Sequence, residues 1–128
     1  MNIPEELKYT KEHEWVKVDG NKVTVGVTDF AQEQLGDIVF VELPEVDEEY
    51  DREDSFAVLE SVKAAADVFA PFAGTVVETN EDLEDDPALV NSDPYGDGWL
   101  VSFELADGEE LTDLMTPEDY QKFVEEQE

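Results

Sequence analysis

The residue with the clearest capacity for covalent chemistry is Lys63, in the run Glu60-Ser61-Val62-Lys63-Ala64. A primary amine on a long stem can be acylated, which removes its charge and extends its reach. Lys63 is the one basic residue between Arg52 and Lys122, in a chain with 36 acidic residues against 7 basic ones. Its neighbours Ser61, Val62, Ala64, Ala65 and Ala66 are small or apolar, which leaves room for a modifying enzyme. Strand-like runs flank it, so it belongs at or near a hairpin tip. A tight turn there holds the anchor at the surface while the stem swings. A group tethered in this way gains effective concentration at each partner site. The competing reading is a solvated lysine paired with Glu60 or Asp67, as most surface lysines are. The residues alone leave both readings open.

Other routes to chemistry are few. Cysteine is absent, which removes disulfides, thiolate metal sites and a cysteine nucleophile and fits a reducing, cytoplasmic interior. His13 is the sole histidine. No serine or cysteine partner is suggested for it, so it reads as a structural or interface residue. Trp15 and Trp99 read as core. The formal net charge is -29, so there is no basic patch for nucleic acid, and an anionic membrane would repel the chain. The acids are scattered over the whole length and do not form one tail. That pattern favours adaptation to a salt-rich interior over an acidic decoy for a basic partner. The start Met1-Asn2-Ile3-Pro4-Glu5-Glu6 shows neither a basic n-region nor an apolar h-region, so no signal peptide is expected. No apolar run is long enough for a membrane span.

The elements that must position these residues are mostly short strands. The length of 128 residues suits one domain spanning 1–128, with no linker and no repeat. Glu14–Val18 alternates, Asp19-Gly20 turns the chain, and Val23, Val25 and Val27 alternate again, which predicts a hairpin. Thr28 or Asp29 caps a short helix through Gln34, with Gly36 as its stop. Ile38–Leu43 is a dense apolar run ended by Pro44 and predicts a buried strand. Glu45–Asp54 is acidic and reads as loop. Strands are predicted at Ser55–Glu60, Asp67–Ala70 and Thr75–Glu78, with a turn at Pro71-Phe72-Ala73-Gly74. Asn80–Asn91 holds a short acidic helix, Asp93–Gly98 a loop, and Trp99–Leu105 a strand. Thr116 and Pro117 start a last helix with Tyr120, Phe123 and Val124 on one packing face. Such a pattern argues a mainly β barrel or sandwich with short helices at its edges.

Several segments together resemble the glycine cleavage system H proteins over nearly the whole chain. They are Tyr9-Thr10-Lys11-Glu12-His13-Glu14-Trp15, Gly26–Gln32, Gly36–Pro44, Glu60–Ala64, Ala70-Pro71, Gly74, Asn91–Leu100 and Leu114-Met115-Thr116. No segment is specific alone; their order and spacing are. The resemblance implies a barrel-sandwich hybrid, like other lipoyl and biotinyl carriers, with short flanking helices and a C-terminal helix. It implies lipoate on Lys63, within the attachment motif Glu60, Ser61, Val62 and Ala64. It implies a non-catalytic carrier that takes an aminomethyl group from the P protein, a pyridoxal-phosphate decarboxylase. The T protein passes that unit to tetrahydrofolate, and the L protein, a flavin dehydrogenase, reoxidises the arm. A lipoyl-attaching enzyme acts first. The lack of cysteine suits this chemistry, because the cofactor brings the sulfurs. In the family the loaded arm folds into a cleft where carboxylates hold its cationic amine; Glu14 and Asp67 match those positions. The competing reading of both is ordinary surface acid. Glu12 stands where relatives often carry a small polar residue, which puts its part in the cleft in doubt.

Three other readings predict different features. A lipoyl domain of a 2-oxo-acid dehydrogenase usually has Asp before the lysine and a flexible linker; here Val62 precedes Lys63. A biotin carrier usually flanks the lysine with methionines; here Val62 and Ala64 do so. An acidic interaction protein without cofactor predicts no mass increase on Lys63. A lipoyl donor or relay in lipoate assembly stays open, since it would use the same lysine. A monomer is expected.

Overall fold

The computed structural model describes residues 3–109, 111 and 114–127. The reading of Met1 and Asn2 as free of a targeting signal lies outside the described residues. The chain runs β1 Lys8–Tyr9, β2 Glu14–Asp19, β3 Lys22–Val27, α1 Asp29–Leu35, β4 Ile38–Glu42, β5 Glu49–Tyr50 and β6 Ser55–Ser61. It continues β7 Ala65–Phe69, β8 Gly74–Thr79, α2 Asp82–Asp85, α3 Leu89–Ser92, β9 Val101–Leu105 and α4 Pro117–Gln127. Two antiparallel sheets form, one in the order β1-β2-β3-β9-β8-β5 and one in the order β4-β6-β7. The mainly β fold with short helices and a C-terminal helix is therefore the observed one.

Period-two alternation builds the core. Val23, Val25 and Val27 of β3, with Val76, Val101 and Phe103, meet Ile38, Val41, Phe56, Leu59 and Val68 between the sheets. Burying each such side chain is worth about 1.5–3 kcal/mol. On β2 the alternation splits two clusters: Val16 joins this core, whereas Trp15 joins a second one with Leu7, Tyr9, Phe30, Tyr120 and Val124. Glu14 therefore shares the Val16 side of the strand.

Several expectations need correction. Ile38–Leu43 is not a buried strand: Val39 and Phe40 are half exposed, because the ladder shifts register between Ile38 and Phe40. The segment Glu45–Asp54 is not all loop, since β5 pairs with β8 and sets Tyr50 edge-on to Phe103. The single helix over Asn80–Asn91 is two short helical turns separated at Asp86-Pro87, and Pro87 supplies no N–H to carry the first turn onward. The strand before Ala70 starts earlier, at Ala65, and the last strand starts later, at Val101. Elsewhere local chemistry prevails. Thr28 is the cap, its hydroxyl accepting from the Ala31 N–H at 3.2 Å, and Gly36 closes α1 at φ 81°. Thr116 caps α4 through the Asp119 N–H at 3.1 Å. Trp15 is buried and Trp99 half-buried.

Candidate functional site

The hairpin joining β6 to β7 is closed by Ser61. Its N–H donates to the Ala64 carbonyl at 2.7 Å. Its hydroxyl accepts from the N–H groups of Lys63 (3.3 Å) and Ala64 (3.0 Å) and donates to the Ala64 carbonyl at 3.1 Å. One side chain thus satisfies most of the turn's polar backbone, and Lys63 stands exposed at its tip. The tip is tied down by the Val62 N–H, which donates to the Asp37 carbonyl at 3.1 Å. The ion pairs among the described residues are Lys22–Glu78 and Arg52–Glu109. Lys63 is in neither, and no ion pair joins it to Glu60 or Asp67 among the described residues.

The lysine stem lies over the end of α1. A Cβ on Gly36 would sit 3.4 Å from Lys63 Cε and 3.9 Å from Nζ. Gly36 supplies the positive φ that ends α1, and a Cβ there would only reach van der Waals contact with the stem. Asn91 holds that corner. Its amide donates to the Gly36 carbonyl (2.8 Å) and Gln32 Oε1 (3.0 Å), and its Oδ1 accepts from the Ile38 N–H (2.8 Å).

One residue away from Gly36 a cleft of about 180 Å³ begins. Phe30, Ala31, Gln34 and Leu35 of α1 form one wall, Ala66, Asp67 and Val68 of β7 another, and Glu12, His13 and Glu14 the third. Most of the lining is apolar. The structure thus brings Glu14, Asp67 and Glu12 to one cleft beside the Lys63 hairpin. Asp67 and Glu14 differ. Asp67 is exposed and accepts from the Ser55 hydroxyl at 3.2 Å. Glu14 is only 2% exposed, so it is not a surface acid. Its Oε2 accepts from the Phe69 N–H at 2.8 Å and its Oε1 from the Thr10 hydroxyl at 3.0 Å. Desolvation pushes its carboxyl up to about 7, against hydrogen bonds from Phe69 and Thr10 that pull it down. Glu12 turns its N–H to the Thr10 hydroxyl at 3.2 Å.

His13 joins the cleft to the last helix. Its Nδ1 lies 2.9 Å from the Tyr120 hydroxyl, which lies 2.7 Å from Thr28 Oγ1. Its ring packs on Phe30 at 4.6 Å, and its own backbone is left-handed at φ 66°. Thr10, Asn91 and Tyr120 are residues whose part in building the site the sequence reading missed. Only Asn91 and Thr10 carried a signal, as members of recurring motifs. Among the described residues no group of His, Cys, Asp or Glu could hold a metal ion.

Comparison with known proteins bears on the family and the fold. The family model described as "Glycine cleavage H-protein" matches residues 7–127. A glycine cleavage system H protein of Halothermothrix orenii is 60% identical over 126 residues, covering 98% of both chains. One from Carboxydothermus hydrogenoformans is 56% identical over 125 residues, covering 98% of this chain and 96% of its own. A crystal structure of a glycine cleavage system H protein from Mycobacterium marinum superposes with a TM-score of 0.85, at 38% identity and 98% coverage of each chain.

Proposed function

Because the chain belongs to the glycine cleavage H-protein family, we propose that Lys63 carries a lipoyl group and that the chain acts as a carrier without catalytic residues of its own. The observation that carries this reading is the exposed lysine on a Ser61-braced turn, in no ion pair among the described residues, beside an apolar cleft edged by the carboxylates of Glu12, Glu14 and Asp67. The attached group supplies the sulfurs on which the one-carbon unit travels and electrons are exchanged. The chain's own residues position and shelter it. Ser61 fixes the anchor, and the stem passes over Gly36 at the end of α1. Phe30, Ala31 and Leu35 exclude water. Asp67 and Glu14 accept hydrogen bonds from a cationic amine brought into the cleft, and an ammonium beside Glu14 favours its ionised form.

The partners in this reading are the P, T and L proteins and a lipoyl-attaching enzyme. The chain works as a cytoplasmic monomer, and its acidic surface is an adaptation to salt. A relay in lipoate assembly would use the same lysine, so the test has two steps. Intact mass after expression in a lipoate-replete host should show a lipoyl increment on the wild type and none on Lys63→Arg, which keeps the charge but cannot be acylated in this way. An increment on both, or on neither, sinks the Lys63 assignment. Reconstitution with P, T and L proteins should then give glycine-dependent reduction of the arm; its absence would leave only the relay.

A further inference from the structure

Three large apolar side chains stand exposed around the Lys63 hairpin: Val62 is 70% exposed, Val39 54% and Phe40 50%. The sheet explains two of them. Ile38 pairs with Ser61 and Phe40 with Glu60, so Val39 is an extra residue without a partner. Such a bulge breaks the alternation of the strand and re-aims its side chains; here both Val39 and Phe40 face solvent. The Val62 N–H bonds to the Asp37 carbonyl, which places Val62 at the entry of the same strand. The exposed acids Asp37, Glu42 and Glu60 border these positions. An exposed apolar group with a polar border marks an interaction surface.

We propose that Val39, Phe40 and Val62, with their acidic border, are the docking surface for the enzyme that acylates Lys63. The proposal rests on the reading of Lys63 as the lipoyl anchor. A bare lysine extends only a four-carbon stem beyond its turn, so the acylating enzyme must close on the hairpin itself. Later partners meet the far end of a longer arm. The matching surface is an apolar recess edged by lysine or arginine. Burial of the apolar centre supplies affinity, and the charged border steers encounter and rejects wrong partners. In the reaction served, the Lys63 ammonium loses a proton to solvent, the free amine attacks the carbonyl carbon of a lipoyl acyl-adenylate, and the nitrogen gives up a second proton to solvent as the neutral amide forms. The amide C–N bond forms, the C–O bond to phosphate breaks, and the adenylate leaves with the electron pair; nothing is oxidised or reduced.

The test is steady-state acylation of the full-length apo chain by a purified lipoyl-attaching enzyme, read by mass. Phe40→Ser and Val62→Ser should raise KM for the carrier about tenfold, with kcat nearly unchanged. Phe40→Leu should restore KM, and the exposed controls Val18→Ser and Val77→Ser should not move it. Added salt should raise the wild-type KM. An unchanged KM in the patch variants, with wild type acylated, overturns the proposal. So does a normal KM with a defect confined to the glycine-dependent cycle, which would assign the patch to a later partner. Sedimentation of wild type as a dimer and of the variants as monomers would assign it to a second copy, and overturns it as well. A wild type that takes no lipoyl group overturns the underlying reading instead.

Discussion

Glu14 holds its proton up to about pH 7 because burial strips its carboxylate of water, while the Phe69 and Thr10 hydrogen bonds only partly offset that cost. The sign of the consequence follows from proton counting. Between its ordinary value of 4.5 and about 7 the folded chain keeps a proton that the unfolded chain has released. Stability therefore falls as pH rises through that window. Glu14→Gln cannot ionise, and its amide oxygen can still accept from Phe69. It should lose this dependence and exceed the wild type at pH 8 by on the order of 2 kcal/mol. Urea unfolding of both proteins from pH 4 to 8, in molar salt to quiet the other carboxylates, measures this. Parallel pH slopes for the two proteins would show that Glu14 titrates like an ordinary acid.

The C-terminal helix acts as a brace for the cleft. Tyr120 is fully buried, and its hydroxyl spans His13 on one wall and Thr28, the cap of α1, on another. Its ring stacks on Tyr9 with centroids 4.7 Å apart. Tyr120→Phe keeps that stack and removes only the hydroxyl. The loss should be about 1–2 kcal/mol, since the buried Thr28 hydroxyl and the half-buried His13 ring each lose a partner. Amide exchange should quicken at Ala31, in the first turn of α1, and stay unchanged in β8 and β9. Unaltered exchange at Ala31 would mean that α4 packs beside the cleft without setting the position of α1. The bulge in β4 is the other element-scale device, since its extra residue turns two consecutive side chains to solvent beside the lysine while Ile38 and Val41 stay in the core.

For the molecule as a whole the dominant force outside the core is self-repulsion. With 36 acids, 7 bases and a net charge of -29, few carboxylates can find a cation. Mobile counter-ions shorten the range of that repulsion to about 3 Å at molar salt. Thermal unfolding should therefore shift upward by on the order of 5 °C or more between low salt and molar potassium chloride. A midpoint that does not move with salt would remove self-repulsion as the limiting term and, with it, the argument for salt adaptation.

The sequence by itself determined what local chemistry decides. Alternation in β2 and β3, the Asp19-Gly20 turn, the Gly36 stop and the Thr116-Pro117 start each depend on residues a few positions apart. So does the place of Lys63 on a turn between two strands, although its residues alone left a carrier role and a surface ion pair both open. The motifs around Lys63 then narrowed that choice to one family. Tertiary structure decided the rest, because burial belongs to what packs around a group. Glu14 looks like any other acid until Phe69, 55 positions away in sequence, brings its N–H to the carboxylate. Strand β5 exists only where β8 pairs with it, and Val39 and Phe40 face solvent only because the β6 ladder skips a residue. The lysine between two strands was legible in the sequence, and the family resemblance pointed to Glu14 and Asp67 as cleft carboxylates; the burial of Glu14, the exposure of Asp67 and the walls between them came from contacts between distant parts of the chain.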